Sequence, residues 1–151
     1  MYWIIALTWG ILGTAIFWRI LSAKWARIDA IYQGMFDSFR VFHPIPGFPG
    51  YLDLKFSILR HTIAFLISAV IIFWVSIDLI LHIVLFLNVL YAGMPITRYR
   101  RRKQDVIETA MRPNGKDAAA IISIPVRDSF CTVVYSVICS ALLFVLFALR
   151  P

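Results

Sequence analysis

The chain has 151 residues, of which 61% are hydrophobic and only 15% charged, and its mean hydropathy is +0.81. Polar cover of that extent is too small for an ordinary soluble domain, and the apolar residues gather into runs long enough for a hydrocarbon core of roughly 30 Å, which takes about 20 helical residues. The net charge of +7 does not point to nucleic acid, because the basic residues stand beside the hydrophobic runs, where they act as orientation signals and as contacts for anionic lipid head groups.

The expected fold class is therefore an all-α integral membrane protein, a single membrane domain over residues 1–151, with four transmembrane helices or alternatively three, plus an amphipathic interfacial helix. The first span covers residues 2–21 and meets no charge before Arg19, with Trp3, Trp9 and Trp18 suited to the interfaces. Leu21-Ser22-Ala23 loosely resembles a signal-peptide cleavage site, but a basic n-region is missing and Arg19 follows the apolar run, so the segment reads as an anchor. Ala6, Gly10 and Thr14 recur every four residues and form a small-residue stripe that lets another helix approach closely.

Residues 24–42 change character. Trp25, Ile28, Tyr32, Met35, Phe36 and Phe39 recur at helical spacing with polar residues largely off that stripe, which predicts an amphipathic helix on the membrane surface or against a partner. It should end before His43-Pro44-Ile45-Pro46-Gly47-Phe48-Pro49-Gly50, where proline and glycine forbid regular structure.

The apolar region over residues 58–96 allows two readings. One helix would be about 58 Å long, well beyond a single core thickness, and would have to tilt and overhang. A hairpin turning at Ser76-Ile77-Asp78 gives spans at residues 59–76 and 79–96 instead. Charge favours the hairpin, because Arg19, Lys24 and Arg27 follow the first span while Arg98, Arg100, Arg101, Arg102 and Lys103 follow the second region, and both clusters belong on the cytoplasmic side. Against it stands the lack of Gly, Pro or Asn near the turn.

Residues 98–128 read as a cytoplasmic loop with a short helix near residues 105–111 and a turn at Arg112-Pro113-Asn114-Gly115. Within it, residues 118–126 form either an interfacial turn or a strand added to a partner's sheet. The last span covers residues 130–149, capped by Asp128 or Ser129, with a second small-residue stripe at Thr132, Ser136 and Ser140. Cys131 and Cys139, eight residues apart on one helix, are separated by about 12 Å and cannot bridge each other.

No nucleophile–base constellation, phosphate-cradling glycine loop or metal-ligand spacing emerges, so no enzyme, cofactor, metal or small-molecule substrate is expected. Haem is set aside because His61 and His82 fall toward opposite membrane faces in the hairpin. Asp78 and His82, four residues apart, are the one possible intramembrane polar pair; on a single long helix they would lie near mid-membrane, and in the hairpin Asp78 is a solvated turn residue.

The arginine cluster from Arg98 to Lys103 is expected to anchor in anionic lipid or dock an acidic partner. Taken together, these features suggest a non-catalytic structural or assembly subunit of a membrane complex of secretion, conjugation or bioenergetic type, partnered by other membrane subunits and anionic head groups, in a bacterial inner membrane. The alternatives are an ion- or proton-pathway component using Asp78 and His82, or a membrane-resident immunity or exclusion protein.

Overall fold

A computed structural model describes residues 2–35, 51–113 and 116–150, and every regular element among them is helical. Helix α1 (Tyr2–Thr8), a π-helical segment (Trp9–Gly13) and α2 (Thr14–Met35) follow one another without a break, then come α3 (Tyr51–Trp74), α4 (Asp78–Met111) and α5 (Lys116–Ala148). Four stretches are long and apolar enough to cross a membrane: Ile4–Lys24, Leu54–Trp74, Asp78–Met111 and Val126–Ala148. At 1.5 Å per residue, the two 21-residue spans measure about 31 Å, which matches one hydrocarbon core.

The turn between α3 and α4 lies at the position expected for the hairpin, so the region is two spans. Val75 N still donates to Ile71 O at 3.0 Å, which completes α3, while Ile80 N and Leu81 N both reach back to Ile77 O at 3.1 and 3.3 Å and start α4. Ile77 is extended, at φ −85° and ψ 108°. At Ile77 the negative φ calls for no glycine, and Asp78 in the first turn of α4 favours the helix start through the dipole.

Within the bilayer each span is apolar almost all round, so burial, rather than amphipathicity, marks the inner face. Leu21, Ile58, Phe65, Ile72, Leu81, Tyr135, Leu143 and Leu146 form the sealed centre. Exposed Ile4, Ile11, Ile67, Phe86 and Phe144 point outward, the arrangement that lipid demands and water would not tolerate. The span on α5 is the most enclosed of the four, 39% of it buried against 22% for α4, because α5 packs against α2, α3 and α4.

Two glycines set the close approach of the first helix. A Cβ at Gly10 would stand 2.9 Å from Leu66 Cδ2 on α3, and one at Gly13 would stand 2.9 Å from Trp9 Cε2. Gly10 therefore admits a neighbouring helix, while Gly13 admits the indole of its own helix.

Three expectations differ from the fold. Residues 98–111 continue α4, and α5 starts at Lys116, so the expected cytoplasmic loop is two helical arms joined by a short connection. Arg, Lys, Gln and Glu are good helix formers, so the chain need not unwind where it becomes polar. Arg112, extended at φ −73° and ψ 148°, ends α4 because the following Pro113 disfavours the helical region for it. Residues 118–126 are accordingly neither a turn nor a strand, and Asp128 and Ser129 lie inside α5 instead of capping it. Third, the segment from residue 24 to 35 is the unbroken continuation of the first span and no separate helix begins there; residues 36–42, with Phe36 and Phe39, lie outside the described residues, as do the side chains of Trp25, Ile28, Tyr32 and Met35.

The glycine contacts predict unequal tolerance. Gly10→Ala meets the movable end of a leucine and should cost less than about 1 kcal/mol, whereas Gly13→Ala meets a rigid ring and should cost about 1–3 kcal/mol. Thermal unfolding of the two variants in the same detergent measures the difference.

Candidate functional site

Polar side chains gather on the inner faces of the helices. Thr14 on α2, Thr62 on α3 and Tyr135 on α5 form a hydroxyl triangle, with Thr14 Oγ1–Thr62 Oγ1 at 2.7 Å, Thr14 Oγ1–Tyr135 Oη at 3.0 Å and Thr62 Oγ1–Tyr135 Oη at 2.6 Å. Both threonines also reach carbonyls of their own helices, Gly10 O at 2.6 Å and Ile58 O at 3.0 Å. These five contacts share three hydroxyl protons, so with the threonine protons on their carbonyls Tyr135 is the donor within the triangle. Its ring stacks on Trp9 at 6.0 Å between centroids and tilts against Phe17 at 5.0 Å. Trp9 Nε1–H is then aimed at Cys139 Sγ, 3.3 Å away. Thus the indole accommodated by Gly13 joins the first helix to α5.

Toward the end where α2 leaves the bundle, Lys24 Nζ lies 3.1 Å from Asp128 Oδ1, and Cys131 Sγ stands 3.5 Å from the same ammonium. The lysine side chain is 39% exposed and the aspartate only 3%. Asp128, legible in the sequence as a helix cap, is instead an acceptor buried between two helices. Only the path of the chain puts Lys24 opposite it.

The residues singled out from the sequence fall as follows. Ala6 and Gly10 are buried, and Thr14 belongs to the triangle. Thr132 and Ser136 are buried and Ser140 half-buried; Ser136 Oγ approaches Ala92 O on α4 at 3.4 Å. Both small-residue stripes therefore meet helices of this same chain. Asp78 and His82 lie at the start of α4, both exposed, and His82 Nδ1 contacts the Asp78 main-chain O at 2.8 Å while its ring packs edge-on against Phe147 at 5.7 Å. The carboxylate and imidazole are not joined.

Arg98 and Arg102 turn toward Arg60 around a small cavity, while Arg100, Arg101 and Lys103 are exposed on α4. His61, by contrast, is buried, with Nδ1 2.7 Å from Ser57 O, its ring 4.5 Å from that of Tyr91, and Nε2 enclosed without a partner in hydrogen-bonding geometry. Among the described residues no three His, Cys, Asp or Glu stand close enough to hold a metal ion.

No protein family, curated protein or solved structure matches the chain.

What this geometry supplies is cohesion, and it can be tested on two side chains. Tyr135→Phe leaves both threonines bonded to their own carbonyls and removes only the proton donated within the triangle, so it should lower stability by about 0.5–1.5 kcal/mol. A double-mutant cycle with Thr62→Val should show coupling between the two. For the ion pair, Lys24→Met strands a buried carboxylate and should cost about 2–3 kcal/mol, whereas Asp128→Asn leaves a lysine that reaches solvent and should cost about 1 kcal/mol. Equal losses in the two variants would show that burial does not decide the balance.

Proposed function

We propose that this chain is a non-catalytic structural subunit of a multi-protein membrane assembly, of secretion, conjugation or bioenergetic type, and that it meets its partners through the arms of α4 and α5 outside the bilayer. The observation that carries this reading is length. Helices α4 and α5, with 34 and 33 residues, measure about 50 Å each against a core of roughly 30 Å, so the pair overhangs the bilayer on one side. From Arg98 to Met111 the overhang of α4 is about 20 Å. On it Ile107 is 47% and Met111 79% exposed, beyond the reach of the hydrocarbon that covers the other outward apolar residues. Apolar side chains held out on a paired helical arm suit a protein partner.

The small-residue stripes do not add to this reading, since the chain's own α3 and α4 occupy them. Among the described residues, every lysine and arginine except Arg150 lies toward the overhanging end, which supports a cytoplasmic orientation for it in a bacterial inner membrane with anionic head groups around it. The placement of Asp78 at the mouth of a turn lends no support to a mid-membrane relay.

The test is purification of the full chain from its native membrane in mild detergent. A stoichiometric set of other membrane proteins is expected, lost in Ile107→Asp/Met111→Asp, with the variant still folded by thermal unfolding. Recovery of the chain alone would overturn the subunit reading and favour a self-sufficient inhibitor of immunity or exclusion type, which should then act when its gene is expressed in isolation.

A further inference from the structure

The first helix and α3 leave an open groove of about 530 Å³ between them. Gly10, Thr14 and Thr62, all buried or half-buried, make its floor, and the exposed Ala15, Trp18 and Leu59 make its walls. The floor places no polar demand on an occupant, because both threonine hydroxyls are engaged with Gly10 O, Ile58 O and Tyr135. One wall is held in place by Lys55, whose Nζ stands 4.5 Å over the Trp18 ring.

Depth gives the groove a direction. Thr14 is the middle residue of the span Ile4–Lys24, so the stretch from Gly10 to Ser22, about 18 Å, leads from near the bilayer centre to the basic end. One leaflet of a core of roughly 30 Å is about 15 Å deep. A groove of that length takes one acyl chain, whereas a partner's transmembrane helix would lie against the whole span. At its outer end stands Arg19, exposed and about 8 Å inside Lys24, a depth from which a long cationic side chain extends toward the head groups. Asp128, the buried carboxylate at this end, is held by Lys24, and Ser22 Oγ bonds to Trp18 O at 2.9 Å, so the guanidinium sets the polarity of the groove's mouth.

We infer that this groove seats one anionic phospholipid of the leaflet at the basic end, with an acyl chain along Gly10, Thr14 and Ala15 and the head-group phosphate on Arg19. An apolar channel that starts near the bilayer centre and ends in an exposed cation matches an amphiphile with a negative head, in polarity and in orientation alike. The inference deepens the head-group part of the assembly reading and rests on its membrane orientation, and it does not depend on partner docking through Ile107 and Met111.

The experiment is native mass spectrometry of the full chain in detergent with added phosphatidylglycerol. One retained lipid is expected, with affinity falling about tenfold in Arg19→Gln, the loss of one charge-assisted contact, and less than about twofold in Arg100→Gln, which removes the same charge from the exposed surface of α4. Ala15→Phe fills the groove and should also lower retention about tenfold, whereas Ile16→Phe, at the next position, exposed and outside the groove, should change it less than about twofold. All four positions are exposed, and thermal unfolding checks that each variant keeps its fold; should Ala15→Phe lose it, the comparison of Arg19→Gln with Arg100→Gln still decides. Ile107→Asp/Met111→Asp should keep the lipid, which separates failure of the groove from failure of the assembly reading. Equal retention in Arg19→Gln and Arg100→Gln, or in Ala15→Phe and Ile16→Phe, would overturn the lipid site. Loss of a co-purifying membrane protein in Ala15→Phe, with no lipid retained by the unaltered chain, would give the groove to a partner's helix and overturn the lipid as its occupant.

Discussion

Tyr135 reaches from α5 to the hydroxyls of Thr14 and Thr62, and the three helices it joins can come together only in the register that lets those oxygens meet. Inside a bilayer, apolar side chains gain little by leaving lipid for one another, so shape and hydrogen bonding decide how helices assemble. Much of the bundle follows from this contact. Gly13 has no side chain, so the Trp9 indole lies back along the helix; that indole stacks on Tyr135 and points its N–H at Cys139. Gly10 lets Leu66 of α3 approach, which brings Thr62 within reach of Thr14. Small residues and polar residues thus do complementary work, the first permitting close approach and the second giving it a direction.

The bundle is unequal at its two ends. At one, α3 turns into α4 through three non-helical residues, with Asp78 and His82 exposed beside the turn. At the other, the first helix runs on to Met35 and the α4 and α5 arms rise past the arginines. Lys24 and Asp128 meet where the tightly packed region gives way to those arms. An ion pair there is less costly than at mid-membrane, because the lysine keeps access to water while it neutralises a carboxylate that has none. Lys55, set 4.5 Å over the ring of Trp18, adds a second polar tie between the first helix and α3 at the same end.

Much of the fold was legible before any coordinates. Length and hydropathy establish the spans, and the charge on either side of residues 58–96 favours the turn at Ser76-Ile77-Asp78 even without turn-forming residues. The arms were missed for a physical reason. A polar stretch next to a span resembles a loop when read residue by residue, yet Arg, Lys, Gln, Glu and Ala form helices readily, and two such stretches support each other when they pair. Asp128 followed by Ser129 before an apolar run has the composition of a cap, and nothing local separates that from a buried acceptor awaiting Lys24 more than a hundred residues away.

The sequence by itself determined that the chain belongs in a membrane and which end carries the positive charge, and it favoured four crossings over three, because transfer free energies add up along the chain. It also singled out Gly10, Thr14, Thr132 and Ser136 as small or hydroxyl residues on regular stripes. Only the tertiary structure decided what those stripes face, that Tyr135 is the common partner of Thr14 and Thr62, and that Arg60 lines one cavity with Arg98 and Arg102. Such choices depend on which helices are adjacent and how each is rotated, and in helices apolar on every side no periodicity records the rotation.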